Sequence, residues 1–401
     1  MKIGIIREEK TPHDNRVPLT PSQCRTLMED YPDLWIAIQP SEHRCYTNDE
    51  YRWQGVPVRE DLSSCDYLLG VKEIPVEHIL PNKTYLIFSH TIKEQAHNKK
   101  LLQTFIKQKS SLIDYECLKD DKNKRIIAFG RWAGIVGAYH ALRMIGLRSK
   151  AFNIRQMNEC HNFAEAQKEF LKLKLPPLNI VLTGTGRVSD GANFLLELAG
   201  IKKIEPVDFL RKQFNEAVYT QLESKHLFYR DNLDEFDTLD YHKHPELYKS
   251  AFYPFTKVTD MFINGIYWDK RIPVFFTQEQ MQENDFRIKQ IADITCDIAP
   301  EASVPSTLKA STIDEPYYGY NPNSKNIEAP FGENVIDVMA VDNLPNELPR
   351  DASEDFGNML ISRVIPKLIR GNHPVIYNAT VVYKGLLNEP FSYLKNYAEL
   401  S

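Results

Sequence analysis

A run near the middle of the chain sets the tightest limit on how it can fold: Pro177-Leu178-Asn179-Ile180-Val181-Leu182-Thr183-Gly184-Thr185-Gly186-Arg187-Val188-Ser189-Asp190-Gly191-Ala192. It predicts a short apolar strand, a glycine turn, and a helix carrying Phe194, Leu195, Leu196 and Leu198 that Gly200 closes. That order suits a dinucleotide. Gly184 permits the tight turn, and Gly186 lets a pyrophosphate approach the backbone. The helix start offers free N–H groups and the positive end of its dipole. The fingerprint is incomplete, because Ser189 stands at the third glycine position and Gly191 follows two residues later. On these residues alone an ordinary strand-to-helix turn is an equal reading, and the rest of the chain has to decide.

At 401 residues the chain is long for one core, so two domains are expected. With 42% hydrophobic and 26% charged residues it has the composition of a soluble globular protein. A net charge of −5 argues against a nucleic-acid surface. No run is apolar enough to span a bilayer and no secretory leader is evident, so a cytoplasmic protein is expected. Cys24, Cys45, Cys65, Cys117, Cys160 and Cys296 are scattered without CxxC spacing, which reads as reduced thiols and not a disulfide frame or metal site.

The first third alternates strand and helix signals. Lys2-Ile3-Gly4-Ile5-Ile6, Leu34 to Ile38, Tyr67 to Val71, Tyr85 to Phe88 and Ser111 to Tyr115 read as strands. Thr20, Thr47 and Thr91 read as helix caps, the last opening a helix through Lys107. The alternation predicts a parallel, doubly wound sheet, whose ligands sit beyond the carboxyl ends of its strands. Arg7, Lys10 and Arg16, then Lys72 with Glu73, then His90, then Glu116 follow successive strands, so they are expected on one rim. Singly each is an ordinary solvated charge; as a set they predict a polar cleft. His90 precedes the expected helix, whose dipole would disfavour imidazolium and keep it an acid–base group near neutral pH.

Gly130 to about Leu147 predicts a helix rich in small residues, suited to close packing. Residues 153–175 read as an exposed linking region ahead of Pro176-Pro177. Lys203-Ile204-Glu205-Pro206-Val207 fits a second Rossmann strand, with Glu205 as the ribose-binding acid, although Lys202, Lys203 and Arg211 could instead welcome a 2′-phosphate. These residues leave NAD(H) and NADP(H) both open. Residues 208–258 read as a long insertion, in which His242 and His244 lack the third ligand a metal needs. Strands are expected over Met261–Trp268, Gln290–Thr295 and Val338–Val341, the first two ending in loops that face the cofactor. An amphipathic helix over Ala352–Ile369 is expected to pack back on the first domain. The fold expected is α/β, two doubly wound Rossmann-like domains with a cleft between them. Residues 1–130, completed by 346–401, form a substrate and catalytic domain, and 131–345 a dinucleotide-binding domain.

Several runs together resemble the lysine–2-oxoglutarate reductase domain of aminoadipic semialdehyde synthase, more distantly the lysine-forming saccharopine dehydrogenases, and then alanine dehydrogenase. They are Asn15 to Pro21, Gly70-Val71-Lys72, Phe88 to Lys93, Ile113 to Glu116, Ala128 to Gly134, Thr183 to Ser189, Ile263 to Trp268 and Val341 to Pro345, nearly the whole length of the chain. The resemblance implies condensation of lysine with 2-oxoglutarate and reduction of the imine to saccharopine, reversibly, by hydride from a nicotinamide cofactor, with NADP(H) favoured. Lys72 and His90 match the family's acid–base pair, and Glu116 would tune them. Arg16, Lys93 and Arg131 would hold the substrate carboxylates. Gly184, Gly186, Arg187, Val188, Ile266, Asp293 and Asp342 carry over as cofactor contacts. Glu73 after Lys72 is as in the fungal enzymes and unlike the animal domain. The glutamate-forming dehydrogenase domain of the bifunctional enzyme is missing from this sequence, so a separate enzyme would complete lysine breakdown. Two alternatives stay open: a related dehydrogenase with an alanine-dehydrogenase-like or opine-like substrate, and a catalytically silent nucleotide-binding protein, which would have no need of both Lys72 and His90.

Overall fold

Consecutive residues of Leu68-Leu69, Tyr85-Leu86-Ile87 and Leu112-Ile113 are buried in alternate hydrophobic layers, the mark of a sheet covered on both faces. In the computed structural model, which describes residues 1–231 and 233–399, these runs lie in a seven-stranded sheet. Its strands β1 (Lys2–Ile5), β2 (Trp35–Ile38), β3 (Tyr67–Leu69), β4 (Thr84–Ile87) and β5 (Ser111–Asp114) are parallel, in the order β2-β1-β3-β4-β5. Two antiparallel strands from the far end of the chain, Thr380–Tyr383 and Leu386–Leu387, extend it beyond β5. Helices α1 (Pro21–Asp30) and α2 (Asn48–Trp53) both start in capping boxes, on Thr20 and Thr47. A later helix, Pro349–Arg363, adds Phe356 and Leu360 to the layer holding Ile3, Ile5 and Leu86.

The helix expected from Thr91 to Lys107 is broken. Thr91–Lys93 and Ala96–Asn98 are single 3₁₀ turns, and α3 (Lys99–Lys107) begins only afterwards. Glu94, at φ +53°, is left-handed and ends the first turn.

The chain divides into two units, one of Met1–Phe129 with Pro349–Ser401 and one of Gly130–Leu348. The second unit opens with the long α4 (Gly130–Ser149) and the short α5 (Phe163–Gln167). Its strands are β6 (Asn179–Thr183), β7 (Lys202–Lys203), β8 (Val218–Leu222), the paired β9 (Phe228–Tyr229) and β10 (Lys249–Ser250), β11 (Met261–Asn264), β12 (Gln290–Asp293), β13 (Tyr317–Asn321), β14 (Asn326–Glu328) and β15 (Ile336–Met339). The eight-stranded sheet runs β14-β13-β15-β12-β11-β6-β8-β7, parallel except at β13 and β14. Helix α6 (Arg187–Leu198) follows β6, and α7 (Pro206–Arg211) follows β7. Both units are thus doubly wound and Rossmann-like, as the sequence indicates.

Three expectations change here. Residues 153–175 are not an exposed linker: Ile154, Met157 and Ala166 are buried, and Tyr139 and Arg143 of α4 donate hydrogen bonds to the Arg155 and Ile154 carbonyls. The second Rossmann strand is not Lys203–Val207, because Pro206 opens α7 there and the strand beside β6 is β8. The supposed insertion therefore holds an inner strand, and its Phe228, Tyr241, Tyr248, Phe252 and Phe255 join an aromatic layer with Phe262 and Phe275.

Candidate active site

In the first sheet β1 lies between β2 and β3, so the chain leaves β1 and β3 toward opposite sides and a crevice opens at their carboxyl ends. Glu8 follows β1 and Lys72 follows β3. The Val71 and Lys72 N–H groups donate to the two oxygens of Glu8, at 2.6 and 2.8 Å. Lys10 reaches Glu73 at 3.3 Å, and Glu73 accepts from His90 Nδ1 at 2.5 Å. Of the groups expected on one rim, Lys10, Glu73 and His90 are thus linked side chain to side chain, while Arg7 pairs instead with Glu60. Lys72 binds its proton less tightly than an ordinary lysine, because burial opposes its charge and the Arg16 guanidinium adds to that. Burial alone would raise Glu73, but its hydrogen bond and charge pairing with His90 hold it at about 2, so it is ionised throughout the physiological range.

His90 stands at φ +52°, a strained backbone for a residue with a Cβ. Its neighbours hold it there. Asp114, at the end of β5, accepts the Ser89 N–H and hydroxyl and the Glu116 N–H, and Ser89 also bonds Thr91. With only a 3₁₀ turn after it, His90 has no helix dipole to act on it, which corrects the sequence expectation; its partner is Glu73. Glu116 is buried, 3.5 Å from Lys93 and 3.3 Å from Arg125. Arg16 is buried with Nε and Nη2 engaged by Asp14, and its guanidinium lies 4.2 Å from the centroid of the Phe129 ring. Lys72, His90, Glu116, Arg16 and Lys93 all belong to the first unit.

The second unit carries the glycine turn. In its sheet β6 lies between β11 and β8, again a switch point. Gly184 has φ +93°, and a Cβ there would lie 2.6 Å from Ser189 Oγ and 3.0 Å from Ile266 Cα. Ser189, in the place of a third glycine, donates to the Thr183 and Gly265 carbonyls and so ties α6 to the ends of β6 and β11. Gly186 caps α6 and is different: a Cβ on it would meet nothing within 4 Å. An open glycine at the mouth of α6, whose first turn holds Arg187 and Val188, leaves room for a pyrophosphate to approach the helix N-terminus, so these residues fit a dinucleotide. The helix behind is held by direct backbone packing, since a Cβ on Gly134 of α4 would lie 1.8 Å from the Val188 oxygen.

Two cofactor assignments need correction. Glu205 is exposed, caps α7 and does not end the strand beside β6. The acid in that place is Glu223, the first residue after β8, whose Leu222 carbonyl accepts the Gly184 N–H at 2.9 Å. Sequence reading missed it because β8 was taken for part of an insertion. Asp293 is fully buried, its oxygens accepting from Asn264 Nδ2 and the Thr307 hydroxyl, while Thr183 donates to Asn264. It braces the strand ends and presents no atom to a ligand. Asp342 is exposed after β15, and Arg131 is exposed with its guanidinium 5.1 Å from the Phe194 ring.

Two doubly wound sheets, one carrying the glycine turn and one the ionisable cluster at its switch point, define a two-unit Rossmann-like architecture. Solved structures agree on the fold: an L-alanine dehydrogenase aligns over 99% of both chains with a TM-score of 0.66 at 15% identity. A transhydrogenase from Sinorhizobium meliloti aligns over 96% of this chain and 99% of that one, with a TM-score of 0.58 at 10% identity. Residues 4–136 match the alanine dehydrogenase/PNT N-terminal domain model, so the chain carries that domain. It is 31% identical to an alpha-aminoadipic semialdehyde synthase of Arabidopsis thaliana over 89% of this chain and 37% of that protein. A mitochondrial alpha-aminoadipic semialdehyde synthase of Mus musculus is 30% identical, over 99% and 48%. The chain thus spans between about a third and a half of these relatives' length. A saccharopine dehydrogenase [NAD(+), L-lysine-forming] of Schizosaccharomyces pombe is 26% identical over 96% of this chain and 98% of that one. These matches bear out the resemblance at the level of superfamily and domain.

Proposed function

We propose that this protein is a nicotinamide-dependent saccharopine dehydrogenase of the lysine-forming kind, joining L-lysine to 2-oxoglutarate and reducing the product to saccharopine, reversibly. The observation that carries this reading is the Lys72–Glu73–His90 set at the β1/β3 switch point, together with the names of relatives that match most of the chain. The cofactor, when bound, supplies or accepts the hydride. Lys72, with its proton loosened by burial and Arg16, takes a proton from the attacking amine. His90 donates Nδ1–H to the ionised Glu73, which leaves Nε2 to move a proton to and from the substrate oxygen that departs as water. Arg16 and Lys93 would bind substrate carboxylates, and Glu116 would hold Lys93 in place.

Gly184, Gly186, Arg187 and Val188 would cradle the pyrophosphate, with Ile266 and Asp342 nearer the nicotinamide. Glu223 favours NAD(H): a carboxylate accepts from two ribose hydroxyls and repels a 2′-phosphate. Its ion pair with Lys225, at 3.2 Å, keeps that cation engaged. A cytoplasmic location and a separate glutamate-forming enzyme as metabolic partner belong to the same reading. The free state of all six cysteines supports the former, and no helix among the described residues is long and apolar enough to cross a membrane.

The test is cofactor oxidation followed with 2-oxoglutarate and lysine. Lysine-dependent oxidation is expected, and Lys72→Met and His90→Gln should each cut kcat about 100-fold or more with cofactor affinity intact. Oxidation with ammonia and a keto acid but not lysine would instead favour an alanine-dehydrogenase-like substrate. Cofactor binding without turnover on any amine would leave a silent binder.

A further inference from the structure

The Lys72 loop is gripped by its backbone, and the gripping residue is one the mechanism above does not use. Glu8 accepts the Val71 N–H with Oε1 and the Lys72 N–H with Oε2. Only a carboxyl group can accept both at once through separate oxygens; an amide would set its own NH₂ against one donor. The contact is close along its length: a Cβ on Gly70 would lie 2.9 Å from Ile6 Cδ1 and 3.3 Å from Glu8 Oε1. Neighbours repeat the pattern, with Glu9 bonding His78 at 2.6 Å and Lys10 reaching Glu73 at 3.3 Å. Residues 8–10 thus fasten the loop after β3 to the loop after β1, across the gap where the two diverge.

We propose that Glu8 is a positioning residue for Lys72, fixing the lysine at the switch point and setting how tightly it holds its proton. This rests on the reading of Lys72 as a proton carrier. The charged and titratable groups around Glu8 are Asp14 and Arg16 on its own loop, Lys72 on the β3 loop and Tyr115 after β5. Burial and then the Asp14 charge raise Glu8 to about 8, against the pull of the two N–H groups and Arg16. The grip keeps Lys72 buried beside Arg16, the two influences that loosen its proton. A lysine that must release a proton gains from that.

The experiment measures kcat and kcat/KM from pH 6 to 10 for the full chain, alongside cofactor affinity and thermal unfolding. Glu8→Gln should lower kcat about tenfold, with cofactor affinity within about twofold. The pH limb assigned to Lys72 should move to higher pH by about half a unit or more, because a loosened loop lets Lys72 regain water and draw away from Arg16. Glu8→Asp is too short to span both N–H groups, so it should lower kcat and move the limb in the same direction; it serves if the glutamine variant does not fold. A fall in kcat with the limb unmoved in both variants marks a merely structural role and overturns the proposal, as does wild-type kcat. Lys72→Met separates the two readings. If it abolishes turnover while Glu8→Gln behaves as wild type, only this inference fails; if it leaves turnover unchanged, both fail.

Discussion

Replacing Gly134 by alanine tests whether the glycine cradle depends on the helix behind it. A Cβ at residue 134 would lie 1.8 Å from the Val188 oxygen, 2.8 Å from the Val188 carbonyl carbon and 2.8 Å from the Ala192 nitrogen. All three are backbone atoms of α6, so no side-chain rotation relieves the clash. Restoring ordinary contact needs α4 and α6 to part by about 1.5 Å, and overpacking of that kind costs about 1–3 kcal/mol, here at the upper end. Alanine returns up to about 1 kcal/mol through helix propensity, leaving a net loss of about 2 kcal/mol. For a unit of this size that lowers the melting temperature by about 4–8 °C. Because Val188 lies in the first turn of α6, cofactor affinity should fall as well. Gly186→Ala is the control: with φ −92° and nothing within 4 Å of its Cβ, it should melt like the wild type. Its affinity for nicotinamide cofactor should nevertheless drop about tenfold, because the methyl group stands where a phosphate would approach. Differential scanning calorimetry and fluorescence titration on the two variants give the answer. Unchanged melting of Gly134→Ala, or unchanged affinity of Gly186→Ala, would refute the packing argument or the cradle respectively.

Other expectations can be checked singly. Glu223→Ser should move the NADH/NADPH ratio of kcat/KM toward NADPH by about tenfold without altering stability, since Glu223 is exposed; an unmoved ratio returns cofactor choice to other residues. Asp293 is raised to about 6 by burial, so its neutral form is favoured in the fold. Its contribution to stability is full below its unfolded value near 4 and is lost as pH rises through 6, a change of about 3 kcal/mol that Asp293→Asn should flatten in denaturant titrations at pH 4 and 7. His140 and Glu347 pair at 2.6 Å and both are fully buried. His140→Ala leaves the buried Glu347 carboxyl without its partner and should cost about 3–5 kcal/mol in chemical denaturation; a loss below about 1 kcal/mol would refute the pairing argument.

Much of the first sheet was legible because its strands have short apolar centres and its helices begin on Thr20 and Thr47 with complete capping boxes. The ionisable rim could be read from strand ends alone, since a parallel sheet sends every such end to one edge. What failed has local causes. Thr91-Ile92-Lys93-Glu94 has the letters of a capping box, but Glu94 turns left-handed and the helix waits until Lys99. Lys202 and Lys203 make a short edge strand between α6 and α7, which looked like the true second strand because it follows α6 directly. The real one, Val218–Leu222, is short and carries Thr220 and Gln221, so its period was masked. That displacement alone misassigned the ribose acid from Glu223 to Glu205. Glu8 was invisible for another reason: its role lies in bonds to backbone N–H groups of the Lys72 loop, and no spacing in the sequence records a tertiary contact.

The first unit is sewn together from both ends of the polypeptide. Strand β5 finds its outer neighbour in Thr380–Tyr383, and Phe129 stacks on Phe356 with centroids 4.4 Å apart. During synthesis the opening 129 residues must therefore wait, with that edge and that aromatic surface uncovered, while Gly130–Leu348 emerges and closes on itself. A ribosome-bound chain halted once Leu348 has cleared the exit tunnel, with Thr380–Tyr383 still inside it, should resist protease across the second unit and be cut readily in the first. Equal resistance in both would mean that the N-terminal segment matures without its C-terminal complement.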